Sequence, residues 1–214
     1  MSPRRYSSPL RDAEAARTRR RIVEAAGALF ARDGYAATTM KAIADRAGVS
    51  VQSVHLAGPK AALLIAAFEV SFAGDEGRHS LADRPALVEI MARESLDDVL
   101  AGWLDYVAAA NARTAGLSRA MLTASEMDAA AAEAVADLEA RRRRDLRQAA
   151  EWLAGRGLLR PDDVPRAGDE LNLVVGPEAH DFLVLRSGWS PSEYRRWMED
   201  TVRSLLARWA GAAG

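Results

Sequence analysis

The side chains best suited to chemistry in this chain lie between Thr38 and Lys60, in the run TTMKAIADRAGVSVQSVHLAGPK. They are hydrogen-bonding groups rather than nucleophiles or metal ligands. Ser50 is placed to cap a short helix from Val51 to about Leu56, with Val54 on its buried side. At helical spacing Gln52, Ser53 and Leu56 then point away from the body, flanked by Val51 and His55. A glutamine amide pairs with adenine through two hydrogen bonds, a serine hydroxyl with several base edges or a phosphate, and Val or Leu with a thymine methyl. Lys60 opens the following helix, while Thr39 and Lys41 stand at the start of the preceding one. Cations beside free backbone N–H groups at such helix starts suit phosphate oxygens. Thr39, Lys41, Ser50, Val51, Gln52, Ser53, His55 and Lys60 are therefore candidate contacts to double-stranded DNA. The competing explanation is a plain helical corner with a solvated polar face.

Those residues need short helices at a steep angle to present them, and the surrounding sequence supplies the signals. Ile22, Ala25, Ala26, Leu29 and Phe30 recur at helical spacing, and Gly34 stands where a helix would stop. Thr39 is the expected cap of a helix over Met40–Ala47, and Gly48 turns the chain towards Ser50. Gly58-Pro59 then separates the third helix from a fourth, Lys60 to about Phe72. Charge supports a polyanion partner at this end. Residues 1–60 carry 11 Lys/Arg against 5 Asp/Glu, while the other 154 residues carry 18 against 25. Arg17, Arg19, Arg20 and Arg21 add positive potential near the candidate reading helix.

Beyond a boundary expected between Gly74 and Pro85, the pattern predicts helices near Ala86–Arg93, Leu96–Ala112 and Leu117–Thr123. A long helix follows from about Asp128 to Ala154, then one over Ala167–Arg186 kinked at Gly176-Pro177. The last helix is signposted by Ser190, Pro191 and Glu193, a capping box with proline in the first turn. No strand-like alternation or internal repeat is found, so the fold class is all-α. The predicted organisation is a disordered arm (1–12), a three-helix helix-turn-helix domain (13–59), a connecting helix (60–72) and a larger C-terminal helical domain (73–214).

IVEAAGALFARDGYAATTMKAIADRAGVSVQSVH followed by GPKAALL resembles the N-terminal domain of TetR-family transcriptional regulators, over roughly Thr18 to Phe68. The tail GPEAHDFLVLRSGWSPSEYRRWMEDTVRSLL resembles the last two helices of some members. The resemblance implies a homodimer that binds a palindromic operator through its N-terminal domains. It also implies a C-terminal domain that binds a small-molecule effector, most such proteins being repressors. In one place the chain departs from the family pattern. A tyrosine is usual at the position of His55, with an aromatic residue before the lysine, whereas HLAGPK is one residue shorter and has no aromatic. Leu56 turning inward would compensate, at the expense of its place in the groove. A TetR-like ligand-binding or partner-docking protein with weakened DNA reading is accordingly the alternative function.

In the body, Tyr194, Trp197, Met198, Val202, Leu205, Leu206 and Trp209 share the apolar side of the last helix. With Phe182 they are either an ordinary core face or, as the resemblance implies, a four-helix dimer interface. Trp103, Tyr106, Met121, Met127 and Trp152 either pack the core or line an effector cavity suited to an apolar or aromatic molecule. His180, just after the Gly-Pro break, is an effector contact or a surface or hydrogen-bonded histidine. Arg141–Arg144 sweep most of a helix circumference and form mainly a solvated face, with room for one of them to pair with an acidic neighbour.

Three histidines and no cysteine leave little material for a metal cluster or thiol chemistry, and no phosphate loop or nucleophile motif occurs. No metal, cofactor or catalytic activity is expected. Without an apolar signal region or a run approaching the roughly 18 residues of a membrane helix, the expectation is a cytoplasmic protein with no membrane partner.

Overall fold

Capping chemistry sets the element boundaries at the N-terminal end. The structure, a computed structural model, describes residues 9–74, 76 and 83–213. Helix α1 (Pro9–Ala37) kinks at Gly34, where φ is 80° and ψ is 174°. Thr38 Oγ1 donates to the Gly34 carbonyl at 2.8 Å and secures the turn that follows. Helix α2 (Met40–Ala47) begins where the Thr39 hydroxyl accepts the Ala42 N–H at 3.0 Å. It ends at Gly48, whose left-handed φ of 65° lets its own N–H reach back to the last carbonyls. Helix α3 (Val51–Ala57) starts at Ser50, whose hydroxyl accepts the Ser53 N–H at 3.1 Å. Helix α4 (Lys60–Ala73) completes this end. Such short helices are marginal alone, so shared burial holds them. Ile22, Val23, Ala26 and Phe30 of α1 meet Ile43 of α2, Val54 of α3, and Leu63 and Leu64 of α4 in one buried cluster.

The body contains α5 (Pro85–Met91), α6 (Leu96–Met127), α7 (Ala129–Ala154), α8 (Val164–Val175), α9 (Pro177–His180) and α10 (Pro191–Ala213). A π-helical turn, Asp181–Arg186, continues α9. Helix α6 belongs to both cores. Its first half buries Leu100, Leu104 and Val107 against α7, α8 and α10, and its second half buries Leu117, Ala120, Met121 and Ala124 against the head. Helix α10 carries the expected capping box, with Glu193 N–H on Ser190 Oγ (3.2 Å) and Ser190 N–H on Glu193 Oε2 (2.8 Å). It is held to α6 by Arg203–Asp97 (2.6 Å) and Arg195–Asp105 (2.5 Å). Among the described residues no strand forms, and no single helix is long and apolar enough to cross a membrane. The apolar α4 is instead buried between head and body.

Three sequence expectations need correction, and a fourth falls mostly outside the described residues. The arm expected to be disordered through residue 12 is helical from Pro9, its earlier part lying outside the described residues. Most of the expected 74–85 boundary, His79 included, lies outside them too. The two helices expected over 96–112 and 117–123 are one helix of 32 residues. Gly116 reads as a break but serves as a crossing point. A Cβ there would lie 2.9 Å from the Ala31 carbonyl oxygen and 3.0 Å from its Cα, so only glycine lets α6 rest on α1. The helix expected over 167–186 is interrupted rather than kinked. It starts earlier, at Val164, and stops at Gly176, whose ψ of 157° is extended.

Candidate nucleic-acid interface and ligand cavity

Val54, fully buried, anchors α3 and leaves its other faces outward. Val51, Gln52, His55 and Leu56 are exposed, as the spacing predicts. Leu56 is 82% exposed, so it does not turn inward to replace the missing aromatic. An aromatic next to Lys60 is supplied from α1 instead. Tyr35 is buried, stacks on Phe30 at 5.7 Å between centroids, and lies beneath Lys60 Nζ at 4.2 Å. Lys60 is thus half-buried rather than a freely projecting cation, and burial lowers its pKa while Asp128 partly opposes this.

Other candidates divide between recognition and structure. Ser50 and Thr39 use their hydroxyls as caps, and Ser53 Oγ lies 2.9 Å from Ser50 Oγ. Lys41 pairs with Asp45 at 2.8 Å on the surface, a contact that opens at little cost. Arg17, Arg20 and Arg21 are exposed on α1. Arg19 differs from that expectation: its guanidinium donates to the Ala57 carbonyl at 2.5 Å and to Glu76 at 2.6 Å. It closes the C-terminus of α3 rather than contributing an open charge. That role was not legible, because the partners lie 38 and 57 residues away.

Behind this surface a cavity of about 1000 Å³ opens between head and body. Of the residues named from sequence as cavity candidates, Trp103, Tyr106, Met121 and Trp152 line it. Two other expected members do not. Met127 is 64% exposed at the end of α6. His180 is buried against Tyr194, edge to face at 5.2 Å, in the packing of α9 on α10. Burial lowers its pKa from 6.5, with the neighbouring Asp181 acting the other way.

The walls also contain residues that sequence reasoning missed. Asn111 interrupts the stripe Leu104, Val107, Thr114, Leu117, and a polar residue in such a stripe is a signal that could have been read. It is 1% exposed and donates to the Val175 carbonyl (2.9 Å) and Tyr194 Oη (3.1 Å). Arg141 and Arg142 belong to the run expected to be mainly solvated. They instead pair across the cavity wall with Glu69 (2.7 Å) and Glu178 (3.0 Å). Phe30, Asp33 and Gly34 of α1 and Phe68 and Phe72 of α4 complete the side nearest the head.

Head and body are also joined at Tyr35, whose hydroxyl donates to Asp128 Oδ2 at 2.6 Å. Asp128 Oδ1 caps α7 by accepting from Ala130 (2.9 Å) and Ala131 (3.3 Å). The Tyr35 hydrogen bond and those caps hold the Asp128 carboxyl below its usual range, while burial pushes the Tyr35 phenol upward.

Of the residues proposed from sequence for a dimer interface, Tyr194, Met198, Val202 and Trp209 are buried in the chain's own core. Their burial corrects the assignment of the whole apolar side of α10 to a partner. Trp197, Leu205 and Leu206 are half-buried and Phe182 is 59% exposed, so these four remain open to one.

The chain thus joins a helix-turn-helix head to an all-helical body around a cavity. Residues 22–67 match the family model described as "Bacterial regulatory proteins, tetR family". The head of this chain carries the pattern of the tetR family over those residues. Comparison with curated protein sequences finds no match. Solved structures share the whole fold. A chain assigned as a TetR-family transcriptional regulator from Mesorhizobium loti MAFF303099 is 20% identical with a TM-score of 0.67, covering 90% of this chain and 96% of that one. A chain assigned as a transcriptional regulator from Pseudomonas aeruginosa PAO1 is 20% identical with a TM-score of 0.68, covering 90% and 91%. The flavonoid-responsive regulator FrrA is 23% identical with a TM-score of 0.59, covering 90% and 97%.

Proposed function

We propose that this protein is a homodimeric, sequence-specific transcriptional regulator that is released from a palindromic operator when a small molecule enters the cavity. One observation carries the reading: the cavity is walled by α1, whose Arg19 closes the end of α3, and by α4, which follows α3 across Gly58-Pro59. A molecule seated against Phe30, Gly34, Phe68 and Phe72 touches helices that are joined to the reading helix. Gln52 and Val51 are the base-reading side chains in this scheme. Thr39, Lys41, Ser53, His55 and Lys60 position the head on phosphates, and Ser50 acts mainly as a cap. Dimer heads must reach successive major grooves roughly 34–36 Å apart, so an effector that favours another spacing weakens binding.

The test is binding to fragments from the protein's own genomic neighbourhood across a salt series, with and without ligand. An operator reader shows a steep salt slope and keeps its sequence preference as salt rises. Equal binding to all fragments would favour the second reading, a ligand-binding or docking protein with weakened DNA recognition. The seven-residue α3 and the partly buried Lys60 are the observations that keep that reading in play.

A further inference from the structure

We infer that the cavity takes a neutral, planar aromatic molecule bearing one hydroxyl or N–H donor, and that Asn111 Oδ1 accepts that donor's hydrogen. This rests on the reading of the cavity as an effector site. Three features select the class. The first is shape and polarisability. Trp103, Tyr106 and Trp152 face a space that Phe72 also borders, with Phe72 and Tyr106 edge to face at 6.3 Å. Rings of this kind favour flat aromatic guests by stacked and edge-on contacts.

The second feature is charge. The cations of the wall lie beside counter-ions: Arg32 on Asp33, Arg141 on Glu69, Arg142 on Glu178, and Arg186 with Arg119 on Asp181, at 2.6 Å and 4.0 Å. Arg84 and Asp145 are engaged as well. An ionised ligand entering here would lose its hydration and find charges that already neutralise one another. A neutral one avoids that cost.

The third feature is an acceptor without a donor. Asn111 donates through Nδ2 to Val175 and Tyr194, while its Oδ1 is buried without a hydrogen-bond partner. Flipping the amide would not help, because the Val175 carbonyl can only accept and would then face another oxygen. Buried carbonyl oxygens are rarely left unmatched, so a ligand donor gains a hydrogen bond once the Asn111 side chain, 1% exposed at the cavity wall, shifts to meet it. The Nε atoms of Arg84, Arg141 and Arg142 on the same wall are also buried without an acceptor, but each belongs to a guanidinium engaged through its other atoms.

Tryptophan-fluorescence titration of the full chain with three matched probes tests the inference: 2-naphthol, 2-methoxynaphthalene and 2-naphthoate at neutral pH. Naphthol should bind about tenfold more tightly than its methyl ether, the ordinary worth of one hydrogen bond, with the carboxylate weakest. Trp152→Ala should weaken all three, and Asn111→Leu should abolish the preference for naphthol. Equal binding of naphthol and its ether, still weakened by Trp152→Ala, overturns the donor assignment and leaves the cavity reading standing. Tightest binding by naphthoate overturns the neutral class. If no probe binds, or Trp152→Ala changes nothing, the cavity reading falls and this inference with it. Should Asn111→Leu fail to fold, the naphthol-to-ether ratio in the unaltered protein still decides.

Discussion

Burial holds the His180 imidazole below its ordinary pKa of 6.5, so the folded protein favours the neutral ring. The unfolded chain titrates normally and binds more protons below that pH. The stabilisation is therefore complete above about pH 6.5 and declines as the pH falls below it. His180→Phe, which keeps a ring against Tyr194, should flatten the urea midpoint between pH 7.5 and pH 5. Parallel pH profiles for the two proteins would remove His180 as the source. At the reading helix, Gln52→Ala should cost about 1–3 kcal/mol at one adenine position and nothing elsewhere, as expected for a lost bidentate pair. Lys60→Ala should weaken all operators alike, and its cation–π contact with Tyr35 means that it also lowers Tm. If binding-site selection shows the same logo and a uniform loss for both variants, the division between base reading and positioning is wrong.

Element boundaries depend on local chemistry, and most of them were legible. Thr39, Gly48, Ser50 and the Ser190–Glu193 box each act within a few residues, and each stops or starts a helix where its type implies. Long-range partners were not legible. Gly116 carries the local signature of a break, and only Ala31 of α1 makes it a contact. The apolar residues of α10 form adjoining stripes, and periodicity cannot say which of them faces the protein's own core. Arg19 and Tyr35 belong to the same class, since each acts on an element distant in sequence. Arg19→Ala removes the donor that closes α3, so helix content at the head and affinity for every DNA fragment should both fall. Tyr35→Phe removes the link between the head and the cap of α7. The ligand should then still bind while releasing DNA less effectively, as anisotropy titrations with and without ligand would read. Unchanged release would mean that coupling runs through α4 instead.

For the whole molecule, α6 is the element that joins the core of the head to the core of the body. The dimer proposed above needs a partner surface, and of the residues expected there Phe182, Trp197, Leu205 and Leu206 are left to supply it. Trp197→Glu with Leu205→Glu should sediment as a monomer, and a persisting dimer would move the interface elsewhere. The position of each head relative to its body depends on the crossing of α1 over α6, where Gly116 leaves no room for another atom. Gly116→Ala must push the backbones apart, and the displacement is transmitted along α1 to the reading helix. The variant should bind DNA weakly without ligand and respond little when ligand is added, while the cavity still binds its guest. The crossing therefore acts as a tuning point for descent. In the proposed scheme, adding one methyl group would turn a responsive protein into one set to release. No residue proposed to touch a base would have to change, and Gly116 itself borders the cavity.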